Sequence, residues 1–222
     1  MTRNRLLIAL LSTLALATTP AHGATVSDAV GDFVPGFIGP NSPDLDVTSF
    51  SVGYNSATST FILGASFAGA IDPSVPGFYV IGVNTGTGTL APFASLGQPN
   101  VIFNQAIVVR KDGTGNIGAT ALAPGTITIS GNTLSALIPL SLLPSTGFVA
   151  ERYGFNLWPR VATGNNNQIS DFAPDNATLA VVPEPASWLL MLSGFAVVAG
   201  ALRYRRRRPS LTIAPGRATR AG

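Results

Sequence analysis

Cysteine is absent from the 222 residues and histidine occurs once, at His22. Without thiols the chain forms no disulfide, offers no thiolate nucleophile and builds no thiolate metal site. Charge is scarce as well: 10% of residues are charged, against 46% hydrophobic. It is also unevenly spread. Between Ala24 and Val182 four basic residues (Arg110, Lys111, Arg152, Arg160) face nine acidic ones, a net charge of −5 for that stretch. A mildly acidic domain lacks the positive footprint that holds phosphate backbones, which excludes nucleic acid as a partner. The other nine basic residues sit near the two ends, and the formal +3 of the whole chain comes from them.

Those ends carry the long apolar runs. MTRNRLLIALLSTLALATTPAHGA opens with Arg3 and Arg5, continues with a 12-residue apolar core from Leu6 to Ala17, and reaches Ala21-His22-Gly23, a small-x-small cleavage pattern. This is the anatomy of a secretory signal peptide, expected over residues 1–23. Its removal by the secretion machinery takes away His22, and with it the commonest general base and metal ligand. At the other end Ala186 to Leu202 gives 17 residues without a charge. As a helix of about 25 Å this run is just long enough to cross a bilayer core. Arg203 and Arg205 to Arg208 follow at once. Such a cluster stays cytoplasmic, which puts the domain before the span outside the inner membrane. Pro183-Glu184-Pro185 then lies at the outer boundary, where two prolines hold the segment extended for a processing enzyme. Residues 209–222 read as a disordered cytoplasmic tail.

The order of these three parts resembles the PEP-CTERM sorting signal of Gram-negative bacteria that make exopolysaccharide. The resemblance covers Pro183 to Arg208 and rests on Pro183, Glu184, Pro185, the apolar span, and Arg203, Arg205, Arg206, Arg207 and Arg208. It implies cutting near Pro-Glu-Pro by the membrane enzyme exosortase. The protein would be anchored in the inner membrane first and sorted to the envelope or extracellular space afterwards. Members usually stop soon after the arginines; here Pro209 to Gly222 continue the chain.

Residues 24–182 read as one exported all-β domain. VTSFSVGY (47–54) and TFILGASF (60–67) alternate apolar and polar positions around a turn at 55–59, an antiparallel hairpin. TITIS (126–130) and TLSALIPL (133–140) repeat the pattern around Gly131-Asn132. FYVIGVN (78–84), QAIVVR (105–110), NIGATAL (116–122), RYGFNLW (152–158) and NATLAVV (176–182) are further strands. Leu137 to Leu143 has room for a short helical turn, and Arg110-Lys111-Asp112-Gly113 reads as a charged turn. Strands with one apolar face must bury it against a second sheet, so an antiparallel β-sandwich is expected.

The succession Asp28-Ala29-Val30-Gly31-Asp32, Asp44-Leu45-Asp46, FYVIGVNTGTGT, GNTLSALIPLSLL and Asp171-Phe172-Ala173-Pro174-Asp175 is similar to DOMON-like and family-9-type carbohydrate-binding sandwiches. This implies a jelly-roll-like fold, and many such modules bind sugars. Their ligands commonly stack on tryptophan; here Trp158 is the only candidate, with Arg152, Tyr153 and Arg160 near it in sequence.

Aspartate is the one concentration of chemistry. Asp28, Asp32, Asp44 and Asp46 precede the first clear strand, and Asp171 and Asp175 precede the last. If the first and last strands are neighbours, these loops converge. Calcium, which takes six to eight oxygens, is the cation such a set suits, with Asp28, Asp32, Asp44 and Asp46 as its ligands. The alternative is that these residues shape turns and strand ends. No spacing singles out a carboxylate pair facing across a cleft for glycoside cleavage, and Ser-His-Asp chemistry is gone with His22. The expected function is a structural or binding component of the envelope or matrix, not an enzyme, with exopolysaccharide recognition as the alternative.

Overall fold

The computed structural model describes residues 23–87, 91–181 and Ala196. The expected signal peptide (1–22 of it), the expected span at 186–202 apart from Ala196, the Pro-Glu-Pro triplet, the arginine cluster and the tail at 209–222 lie outside the described residues. No helix among the described residues is long and apolar enough to cross a membrane.

Among the described residues eleven strands follow one another: β1 (Ala24–Ser27), β2 (Val47–Asn55), β3 (Thr60–Phe67), β4 (Phe78–Asn84), β5 (Gln105–Arg110), β6 (Gly115–Ile117), β7 (Thr120–Ala121), β8 (Ile127–Ser130), β9 (Thr133–Pro139), β10 (Gly154–Arg160) and β11 (Leu179–Ala180). They form two antiparallel sheets. One has the order β1-β2-β3-β9-β8, the other β11-β10-β4-β5-β6-β7. The expected hairpins are present, β2 with β3 and β8 with β9. Gly131 turns the second of them at φ 58°, a conformation glycine adopts without the steric cost a Cβ brings. Leu140–Leu142 is a single 3-10 turn, where a short helical turn was expected.

The alternating strands put their apolar faces together, as period-2 patterning demands. Phe50, Val52, Phe61, Leu63, Leu134 and Ile138 from the first sheet meet Tyr79, Ile81, Val83, Ile107, Phe155 and Leu157 from the second. Aromatic rings knit the layers: Phe61 lies 5.1 Å from Phe155 and 5.4 Å from Tyr153, and Phe67 stacks on Tyr79 at 4.5 Å between centroids.

The second sheet is buried on its outer face as well. Val80 of β4 and Trp158 of β10 pack there with Val34, Phe93, Val101, Ile169 and Phe172, all supplied by loops. This explains the unbroken apolar run FYVIGV: a strand covered on both faces has no polar alternation to show. Gly82 belongs to the same arrangement, because a Cβ at this position would collide with the indole of Trp158. Between them, the loops that cover this face carry the acidic residues to one edge of the sandwich.

Candidate functional site

Asp28 follows β1, Asp46 precedes β2, and Asp171 and Asp175 precede β11. The loops carrying them meet where the first and last strands come together. Backbone bonds fix this seam: the Asp28 N–H donates to the Thr48 carbonyl at 3.0 Å, and the Val34 N–H to the Ser170 carbonyl at 2.8 Å. β2 is irregular here, its register against β3 shifting between Val47 and Ser49. A bulge re-aims the backbone locally. The Val47 N–H donates to Asp171 Oδ2 at 2.7 Å, and the Phe172 N–H to Asp171 Oδ1 at 2.7 Å. The Ser170 hydroxyl donates to the Leu45 carbonyl at 2.7 Å and ties the two loops again.

Five carboxylates gather in this frame. Asp28, Asp32 and Asp175 each present an oxygen within 4.8 Å of the other two, and so do Asp32, Asp46 and Asp171; Asp32 is common to both triads. Asp46 and Asp171 are each 3% exposed, Asp28 is half-buried, and Asp32 and Asp175 face outward. The Gly31 N–H donates to Asp46 Oδ2 at 2.8 Å, whereas Asp46 Oδ1 is buried without a protein donor, as is Asp28 Oδ2. Gln98 Nε2 donates to Asp175 Oδ1 at 3.3 Å, holding that residue from a third loop.

Burial followed by like charge governs the titration of this group. Burial, with the charges of Asp32 and Asp175 behind it, pushes the Asp28 carboxyl up to about 7. Burial likewise raises Asp171 to about 8, reinforced by Asp28 and Asp32 and opposed by its two backbone donors. Asp46 and Asp175 are raised for the same two reasons, burial first and Asp32 next. Oxygen-only donors packed this closely favour a hard cation, which removes both the repulsion and the unmet hydrogen-bonding capacity.

Asp44 does not join them. Its carboxylate is 1% exposed and bonded to Lys111 Nζ at 2.5 Å, the Ser42 hydroxyl at 2.6 Å and the Asp72 N–H at 3.1 Å. The expected quartet of Asp28, Asp32, Asp44 and Asp46 is therefore corrected: Asp44 leaves, and Asp171 and Asp175 enter. Lys111 sits in the expected charged turn, and its side chain is 3% exposed and also reaches the Val75 carbonyl at 3.1 Å. The residue spacing held one clue to this grouping, the pairing of an early and a late aspartate group. Nothing local to Asp44 marked it for a lysine 67 positions onward.

Trp158 is 2% exposed, with Phe93 edge-on at 5.0 Å and Phe103 at 5.0 Å. A ring enclosed in this way offers no face to a sugar, and the expected stacking contact is corrected to a core role. Tyr153 is buried too, its hydroxyl donating to the Leu143 carbonyl at 3.0 Å. The Arg160 guanidinium is spent on its own loop, donating to the carbonyls of Ala162 and Asn165.

Among the described residues the last strand ends at Ala180, and its neighbour Val181 is buried in the core. No curated protein and no solved structure matches the chain. The family model of the PEP-CTERM protein-sorting motif matches residues 181–208, the segment that starts at this boundary, and the chain thus carries the C-terminal sorting signal of an exported, exosortase-processed protein.

Proposed function

We propose that the β-sandwich is a non-catalytic cargo of the exosortase route, with a structural or binding role in the envelope or extracellular matrix. The observation that carries this reading is the match of the sorting motif to residues 181–208, which begin directly after the last described strand, β11. A domain in that position is delivered whole when the tail is cut. Exopolysaccharide recognition is the narrower form of the same role, and with Trp158 enclosed it rests on other side chains.

The test is fractionation of cells that contain an exosortase. The parent chain is expected in the surface or released fraction, shortened by its tail. Pro183→Ala combined with Pro185→Ala is expected to leave it full-length in the inner membrane. Equal processing of both chains overturns the reading, as does turnover of a glycan by the purified protein. Co-sedimentation of the parent with exopolysaccharide separates the narrower role from a purely structural one.

A further inference from the structure

Three separate stretches of chain bring Asp28, Asp32, Asp46, Asp171 and Asp175 to one seam, and among the described residues no lysine or arginine pairs with them. Among the described residues the one ion pair is Lys111 with Asp44. Folding therefore crowds carboxylates here at a cost that no cationic side chain among the described residues offsets. A second observation is independent of the charge count. Asp46 is more than nine-tenths buried, one of its oxygens is held by Gly31, and the other, Oδ1, has no donor although it is sealed from solvent. A buried acceptor left unmet costs on the order of 1–3 kcal/mol, more when it carries charge. Asp28 Oδ2 repeats the pattern beside it. Unmet oxygens inside a group of carboxylates call for a cation.

We infer that this seam is a calcium site. Asp32 is its centre, since it is the residue shared by both triads. Asp28 and Asp46 bring their unpartnered oxygens. Asp171 keeps a second lone pair on each oxygen after accepting its backbone N–H groups, and Asp175 completes the set. The ligand chemistry selects the metal. Every donor is an oxygen, which disfavours zinc and copper, and a set of four or five carboxylates from irregular loops suits the variable geometry of calcium. Magnesium demands a near-ideal octahedron and generally takes one or two carboxylates with its waters retained. Carboxylate oxygens bound to one calcium at 2.3–2.6 Å stand no more than about 5 Å apart, in keeping with triads whose oxygens lie within 4.8 Å. The ion would clasp the start of the domain to its end.

The experiment uses the full chain in detergent, stripped with a chelator and titrated calorimetrically with calcium chloride. Its thermal unfolding is followed in chelator and in 5 mM calcium, a working concentration of about the extracellular order. Saturable binding with a dissociation constant of about 10⁻⁴ M or tighter is expected, with a melting temperature that climbs with calcium concentration. Asp32 is exposed, so Asp32→Asn should fold; it is expected to lose at least about tenfold in calcium affinity, roughly the effect of one first-rank ligand charge. In chelator it should melt at or above the parent's temperature, because one repelling charge is gone. A merely structural aspartate gives the opposite chelator result. Asp72→Asn, at an exposed carboxylate outside the seam, should bind calcium as the parent does. No saturable heat together with an unchanged melting temperature overturns the proposal, and so does parental affinity in Asp32→Asn.

Discussion

Asp44 and Asp46 stand two residues apart in one short segment, and both side chains are almost fully buried. Asp44 turns toward the β4–β5 side and meets Lys111, Ser42 and the Asp72 N–H. Asp46 turns toward the seam and meets carboxylates, with a single N–H from Gly31 for one of its oxygens. The backbone explains the divergence. Pro43–Leu45 is one 3-10 turn, and the chain leaves it extended at Asp46, so Leu45 drives into the core while its flanking residues point apart. The buried Tyr79 hydroxyl donates to the Asp44 carbonyl at 3.0 Å and fixes the turn from the opposite sheet. One carboxylate is neutralised by the protein and the other is left to an outside partner. Residue type and burial are the same for both, and only the company differs.

Breaking the neutralised side should have the largest effect. Lys111→Met leaves Asp44 buried with its charge uncompensated, and about 3–5 kcal/mol of stability is expected to go, read as a lowered urea midpoint. Adding Asp44→Leu should return most of that loss, because removing both partners of a buried pair is far milder than removing one. If the single and double variants unfold alike, the pair does not act as a unit. On the seam side, Asp171→Asn should cost less, about 1–3 kcal/mol in chelator. An amide retains one acceptor for Val47 or Phe172 and loses the other. A loss exceeding that of Lys111→Met would reverse the ranking of the two sites.

The seam also carries a pH effect, again read in chelator. Asp28 at about 7 and Asp171 at about 8 lie above their unfolded value of 3.8, so the folded chain holds protons that the unfolded chain has released. Stability from these groups is therefore fully present only below the unfolded value of 3.8 and is lost progressively as the pH rises toward 7 to 8, the reverse of an ordinary ion-paired aspartate. Thermal melts at pH 5 and pH 8 check this. A chain that melts higher at pH 8 has no carboxylate crowding.

The comparison also marks what a sequence discloses. Strands β3, β4 and β5 are legible to the residue, because alternation or an unbroken apolar run is a local property of six to eight positions. β1 is not, since Ala24–Ser27 carries one sizeable apolar side chain, Val26, and its pairing to β2 supplies the rest. NIGATAL reads as one strand and is two, broken by Gly118 at φ 54°. RYGFNLW anticipates β10 with its start two residues early, the 3-10 turn Ala150–Arg152 occupying that place. At the site, the aspartate groups are visible as composition, and their convergence follows from the first and last strands being neighbours. Which aspartate belongs to which group depends on side-chain direction after a single turn, and on Lys111 arriving from a distant hairpin. Burial of Trp158 depends on loops that cover the outer face of the second sheet, and no strand periodicity records a covering loop.

β11 pairs with β10 through only Gly154–Ala180 and Phe155–Leu179. A cargo held to a membrane by its C-terminus receives every pull from flow or from neighbouring cells through this strand first. Two residue pairs form a short zipper, and behind it stand the Asn156 side chain, gripping the carbonyls of Pro174 and Ala177, and the bond from Gln98 to Asp175. The order in which these give way under load sets how much chain is paid out before the sandwich opens.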